Sequence, residues 1–342
     1  MFNIEMDEYY IFPLDYLNFI ELSYECGQDL RYTKSYNFSE KLAHEVNRFA
    51  SENTDKYTAL DMSNIGGIPL HLNYFLEVKD RNIIIFNVDN EMTKAKLEQD
   101  YQEELKWLDN KTACAAGIFE VVRKKINNET FNFYRRKELN RIVNSLAESR
   151  VDIEKEEEQD FQQLHSTGLF CNYYIDIKKL FVNPRDFHYI IFNLASLMYS
   201  KNEEVDAIIT SSRNGAVLAS ILGGLLRIKE VHLVGIGPKY AARLGDSVDC
   251  IRKGKRYAYI FDFMCTGTEL KLTNALINSK KAYLTNSFGI ARLYKEMGDD
   301  GAFKNKIFVL TDTKEAGIDY KVAATKKDLY LYVKAGSQAI NE

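Results

Sequence analysis

The residues best suited to chemistry lie in Arg256–Leu276, RYAYIFDFMCTGTELKLTNAL. Tyr257–Phe261 is an apolar, β-rich pentapeptide that fits a buried strand, and Asp262 is an isolated acid after it. Cys265-Thr266-Gly267-Thr268 follows, then Leu270, Leu272 and Leu276 at helical spacing. A strand that runs through an acid into a Thr-Gly loop at a helix start is suited to phosphate. The helix N-terminus presents unpaired N–H groups and partial positive charge, Gly267 lets the backbone approach the ligand, and Thr266 and Thr268 add hydroxyl donors. Asp262 is expected at the carboxyl end of its strand, where ligands of open α/β sheets gather.

Two upstream segments have related outlines. In Val205–Leu226, Ala207–Thr210 fits a strand and Ala216–Leu226 an apolar helix. Between them Ser211, Ser212, Arg213, Asn214 and Gly215 form a polar loop; Arg213 supplies positive charge and Gly215 permits close backbone approach. An ordinary strand-to-helix turn has the same pattern. Further upstream, Ser166–Leu180 (STGLFCNYYIDIKKL) alternates around Tyr173, Ile175 and Ile177 as an amphipathic strand does, and Pro184–Tyr199 reads as a helix.

In this order the three segments resemble type I phosphoribosyltransferases, nearest the orotate-type branch, from Asp160 to Met297. The resemblance implies an α/β fold: a parallel sheet flanked by helices over residues 160–342, preceded by a smaller α/β domain. It implies that the Cys265, Thr266, Gly267 and Thr268 loop holds the 5′-phosphate of phosphoribosyl diphosphate (PRPP). Ser211 to Gly215, with Arg213, would hold the diphosphate. Asp262 would engage the ribose hydroxyls, Lys239 would close over the ligand, and Tyr173 and Tyr174 would line the base pocket. Catalysis would fall to Asp262, Lys239 and Arg213. Mg²⁺ would arrive with PRPP or a nucleotide and meet Asp262 indirectly.

Four departures stand beside these matches. Phe261 replaces the first of the family's two adjacent acids, and Glu269 stands where a hydroxyl residue is common, close to the expected 5′-phosphate. Gly235–Gly245 keeps Lys239 and Arg243 but lacks the dense basic cluster of the family's catalytic loop, and the family's base-pocket Lys falls near His165 or Ser166. Two functions follow from the resemblance. One is transfer of a ribose-phosphate to or from a nitrogen base. The other is a non-catalytic PRPP- or nucleotide-binding regulator or effector subunit, as divergent members fused to extra domains are in bacterial phage-defence clusters. A homodimer, or a place in a larger protein complex, is the expected assembly.

The chain has 342 residues, 46% hydrophobic and 13% aromatic, enough for packed cores and long enough for two domains. Its net charge of −4 and the lack of a basic, aromatic-interleaved stripe give no indication of nucleic-acid binding. No run reaches the roughly 18 apolar residues of a membrane helix, and the N-terminus lacks a signal-peptide layout, so a cytoplasmic location is expected. The five cysteines have no metal spacing and fit a reduced compartment. The charge-dense Glu148–Gln163 stretch marks the expected boundary, with residues 1–150 as an α/β accessory domain. There Ser39 is expected to cap a helix. Tyr57–Met62 and Asn82–Val88 read as strands, and Pro69–Val78, Glu91–Leu108 and Phe133–Leu146 as helices. This alternation resembles STAS-type regulatory domains, whose strand-to-helix loop would here be Asp61-Met62-Ser63-Asn64. Lys306–Leu310 and Leu329–Val333 read as two last strands.

Overall fold

The computed structural model describes residues 2–25, 36–79, 81–125, 131, 133–150, 161–164, 168–201, 204–235, 249–293 and 306–338. Lys239, Arg243, His165, Ser166 and the stretch 151–160 lie outside the described residues. The chain divides into two compact units, Met1–Arg135 and Arg136–Glu342.

The first unit is built on a six-stranded sheet ordered Ile4–Glu5, Tyr9–Pro13, Tyr57–Asp61, Ile83–Phe86, Ala113–Ala115, Leu105–Trp107. The middle trio (Tyr9–Pro13, Tyr57–Asp61, Ile83–Phe86) is parallel, and the outer pairings are antiparallel. Ser39 caps the helix Glu40–Glu52, its Oγ accepting from the Leu42 N–H at 3.1 Å, and Leu42, Ala43 and Val46 turn inward. Two expected helices are shorter. Glu91–Leu108 ends at Tyr101, where Gln102 takes φ 39° and the chain turns into a strand that pairs with Ala113–Ala115. Pro69–Val78 keeps one 3₁₀ turn, Leu72–Tyr74, entered through His71 at φ 57°. Leu72, Leu76 and Val78 are all buried there, and one continuous helix does not put positions i, i+4 and i+6 on one face.

At the carboxyl ends of the parallel trio lies a buried polar cluster. Asp15 and Asp61 are both fully buried, and the Arg135 guanidinium reaches them at 2.7 and 2.8 Å. Asp61 also accepts from the Ser63 N–H and hydroxyl, from Asn87 Nδ2 and from the Tyr134 hydroxyl. Asn64, at φ 62°, donates to Asp15. Burial acting alone would raise Asp61, yet Arg135 and the Ser63, Tyr134 and Asn87 donors hold its carboxyl below the ordinary range.

The second unit carries the loops singled out above. Its core elements are α1 (Pro184–Ser200), β1 (Ala207–Thr210), α2 (Arg213–Leu225), β2 (Val231–Leu233), β3 (Arg256–Met264), α3 (Thr268–Ser279), β4 (Tyr283–Arg292), β5 (Ile307–Asp312) and α4 (Lys326–Gln338). The sheet order is β2-β1-β3-β4-β5, and all four pairings are parallel. Ala207, Ile209, Tyr257, Tyr259 and Phe261 alternate onto the face covered by Leu270 and Ile277 of α3. Gly223 of α2 approaches Ile208, on the other face. Each fully buried aliphatic side chain in these layers contributes about 1.5–3 kcal/mol.

The expected strand Leu329–Val333 is instead part of α4. Thr325 Oγ1 accepts the Asp328 N–H at 3.1 Å and donates to the Asp328 carboxylate at 2.7 Å, which caps a helix. Leu329, Tyr330 and Val333 join Phe161 and Phe170 in a small core, whereas Leu331 and Tyr332 are 52% and 56% exposed. The apolar run is therefore a helix that buries one face.

Candidate functional site

In a parallel sheet of order 2-1-3-4-5, the connections out of β1 and β3 leave on opposite faces and open a crevice between the two strand ends. Here those ends carry Ser211–Gly215 and Asp262–Thr268. β3 is buried from Tyr257 to Phe261 and opens only from Asp262 onward, so the acid stands where the strand leaves the core.

Asp262 ties the two loops together. Its carboxylate accepts from Asn214 Nδ2 at 3.0 Å and, more loosely, from Ser212 Oγ at 3.4 Å. Ser212 also caps α2, accepting the Gly215 N–H at 2.9 Å. Gly215 is required by space: a Cβ there would lie 2.2 Å from Thr210 Oγ1, 2.8 Å from Ser212 Oγ and 3.2 Å from the Ile260 carbonyl oxygen. Arg213, the first residue of α2, is exposed and has no hydrogen-bond or ion-pair partner among the described residues. A cation at a helix N-terminus opposes the helix dipole by about 0.3–1 kcal/mol, and an anion bound beside it reverses the sign.

On the β3 side, Gly267 takes φ 71° and leads into α3, while the Thr266 and Thr268 hydroxyls are 3.1 Å apart. A cavity of about 190 Å³ opens here, lined by Leu164, Ser212, Asp262, Glu269 and the loop Cys265–Thr268. Glu269 accepts from Ser211 Oγ at 2.8 Å, and that hydroxyl is 2.6 Å from the Tyr259 hydroxyl. Burial pushes the Glu269 carboxyl above its ordinary range; the Ser211 hydrogen bond opposes it, and the neighbouring Asp262 charge adds a smaller upward push. Burial likewise raises the Tyr259 phenol.

Phe261 lies at the wall between the cavity and the apolar layer under α3, on the same face of β3 as Tyr259. Its ring stacks on Tyr259 (centroids 5.9 Å) and covers Gly289, its register partner on β4. The apolar side chain is accommodated by a glycine on the neighbouring strand.

Tyr173 and Tyr174 lie on a short strand, Tyr173–Ile175, paired with Ala147–Ser149. Tyr173 stacks on Tyr320 (6.5 Å), which also contacts Phe263 at the end of β3 (5.2 Å). Tyr174 lies under the Arg150 guanidinium at 5.5 Å; its phenol is raised by burial and by Asp176, with a smaller contribution from Asp262. The structure thus gathers Ser211, Ser212, Asn214, Gly215, Asp262 and Cys265–Thr268 around one crevice, with Arg213 exposed at the start of α2. Sequence reasoning missed Tyr259, Tyr320 and Arg150. Tyr259 reads as core in an apolar strand. Tyr320 and Arg150 sit in segments with no motif, and only the three-dimensional fold brings them near. Cys265 and Cys171 both interact with the Tyr320 hydroxyl, whose ionisation burial opposes. Among the described residues no helix is long and apolar enough to cross a membrane.

No protein-family model and no curated protein matches this sequence. Solved structures that are similar include the orotate phosphoribosyltransferase from Aeropyrum pernix, 15% identical with a TM-score of 0.37, covering 52% of this chain and 96% of that one. The adenine phosphoribosyltransferase from Leishmania donovani is 13% identical with a TM-score of 0.39, covering 52% of this chain and 80% of that one. A phosphoribosyltransferase from Corynebacterium diphtheriae is 16% identical with a TM-score of 0.36, over 54% of this chain and 99% of that one.

Proposed function

We propose that the crevice between β1 and β3 binds a phosphorylated ribose carrying a diphosphate or a base, and that the protein transfers ribose-phosphate to or from a nitrogen base. The observation that carries this reading is the pairing of the two loops through Asp262, with Arg213 exposed at the start of α2. Arg213 and the first N–H groups of α2 would hold the diphosphate, Asp262 the ribose hydroxyls, and Thr266–Thr268 the 5′-phosphate.

In such a transfer the bond from the ribose anomeric carbon to the diphosphate oxygen breaks, and its electron pair leaves with the diphosphate. The nitrogen lone pair of the base forms the new bond, and the nitrogen's proton passes to solvent. The chain's contribution is to orient the two reactants and stabilise the departing charge in a site that excludes water.

Among the described residues no three His, Cys, Asp or Glu side chains are grouped to hold a metal. A Mg²⁺ would arrive partly hydrated on the ligand's diphosphate, with Asp262 at one remove. When bound, the ion neutralises charge on the diphosphate.

The test is a turnover assay. Purified protein is incubated with PRPP, Mg²⁺ and single nitrogen bases, and separately with nucleoside monophosphates plus diphosphate, following diphosphate or base released. Release that disappears in Arg213→Ala supports transfer. Binding of PRPP without release from any base would make the protein a ligand-sensing subunit instead. The acid missing at Phe261 is the observation that favours that second reading.

A further inference from the structure

A pocket built only for a phosphate dianion would hold cations and neutral donors. The cavity after β3 holds two carboxylates, Asp262 and Glu269, and among the described residues no lysine or arginine lines it. Asp262 already accepts from Asn214 and Ser212, groups on the opposite loop. Among the described residues Glu269 has one donor, Ser211, which is itself shared with Tyr259. A doubly charged phosphate brought beside Thr266–Thr268 would therefore lie against an ionised carboxylate in partly water-excluded surroundings, where like charges repel far more than in water.

We propose that Glu269 is the specificity-determining residue of this loop: a 5′-phosphorylated ribose enters the cavity together with a proton on Glu269, whereas a ribose without that phosphate enters with no such requirement. This rests on the reading of the crevice as a ribose-phosphate site. The proton comes from solvent onto a Glu269 carboxylate oxygen, and no bond of the ligand changes. The titratable groups facing Glu269 are Asp262 and Tyr259 of β3, and Cys265 lines the same cavity. Arg213, exposed at the start of α2, does not line the cavity. Burial and the Asp262 charge both favour the protonated form of Glu269, and the Ser211 hydrogen bond opposes them.

The sign follows directly. Affinity for a phosphorylated ribose falls as pH rises and Glu269 ionises, once the ligand's own phosphate, with a second pKa of about 6, is fully charged. The experiment titrates the full chain with ribose 5-phosphate and with ribose, calorimetrically, from pH 5.5 to 8.5. Wild type is compared with Glu269→Gln, an isosteric neutral change. At pH 8 the variant should bind ribose 5-phosphate at least about tenfold tighter, and at pH 5.5 the two should agree; ribose should bind both alike. Repeating the wild-type titration in two buffers of different ionisation enthalpy should show proton uptake at pH 7.5, a measurement that needs no variant.

Ribose 5-phosphate binding that is equal in both proteins across the range, without proton uptake, would overturn the role of Glu269 and leave the ribose-phosphate reading standing. Failure of ribose 5-phosphate and PRPP to bind either protein at any pH would overturn both.

Discussion

Replacing Gly289 by alanine tests whether the Phe261 ring fills the space that a side chain at Gly289 would occupy. The built Cβ falls 2.1 Å from Cε2 of Phe261 and 2.4 Å from Cδ2 and Cζ. Carbon atoms normally approach to about 3.5–4.0 Å, so the ring must shift by more than about 1 Å. It has little room: Phe261 is 4% exposed, stacks on Tyr259 and belongs to the cluster closed by Leu270 and Ile277. Overpacking of this kind costs about 1–3 kcal/mol, and the rigid strand pair on both sides of the clash argues for the upper end. For a unit of this size that is a fall of about 6–12 °C in the melting midpoint. Differential scanning calorimetry would record it, and Phe261→Leu in the Gly289→Ala background should recover part of the loss, giving a coupling of at least about 1 kcal/mol in a double-mutant cycle. A shift under 1 °C, or an additive cycle, would refute the claim that the ring and the glycine occupy one shared space. By the same reasoning Phe261→Asp buries a carboxylate in an apolar layer and should destabilise the fold.

Asp262→Asn should weaken PRPP about ten- to a hundredfold in a binding titration, since hydroxyl hydrogen bonds to a charged acceptor are worth about 1.5–3 kcal/mol. Unchanged affinity would remove Asp262 from the ribose site. Arg213→Ala should weaken diphosphate-bearing ligands selectively, and equal losses for a monophosphate would assign the residue a structural role. In the first unit, Arg135→Ala removes the countercharge of two buried carboxylates and should cost about 3–5 kcal/mol at pH 7 by denaturant titration. Asp61 is held below its ordinary range, so its contribution is present above the unfolded-state value and lost as pH falls. The gap between wild type and Arg135→Ala should therefore narrow on acidification to pH 4, as the two buried carboxylates take up protons.

The strand–loop–helix from Tyr257 to Leu276 was legible because its signal is local: an apolar pentapeptide, an acid and a glycine lie within twelve residues of one another. The Ser39 cap was readable for the same reason. Alternation alone misled at Leu329–Val333, where the decisive signal was the Thr325–Asp328 cap that precedes it. Nothing local announces the Arg135 pairing with Asp61, which joins residues 74 positions apart, or the Phe261–Gly289 contact, which depends on the register of two strands. Glu269 read from sequence as a repulsive oddity; the structure adds Ser211 and Tyr259 as its neighbours, which only the parallel pairing of β1 with β3 supplies.

The central claim, a ribose-phosphate site at the β1–β3 crevice, is tested most directly by titration calorimetry of the full chain with PRPP, with and without Mg²⁺. Saturable 1:1 binding that strengthens with Mg²⁺ and is weakened by both Asp262→Asn and Arg213→Ala is the predicted result. No heat of binding under either condition, or binding that neither substitution alters, would contradict it.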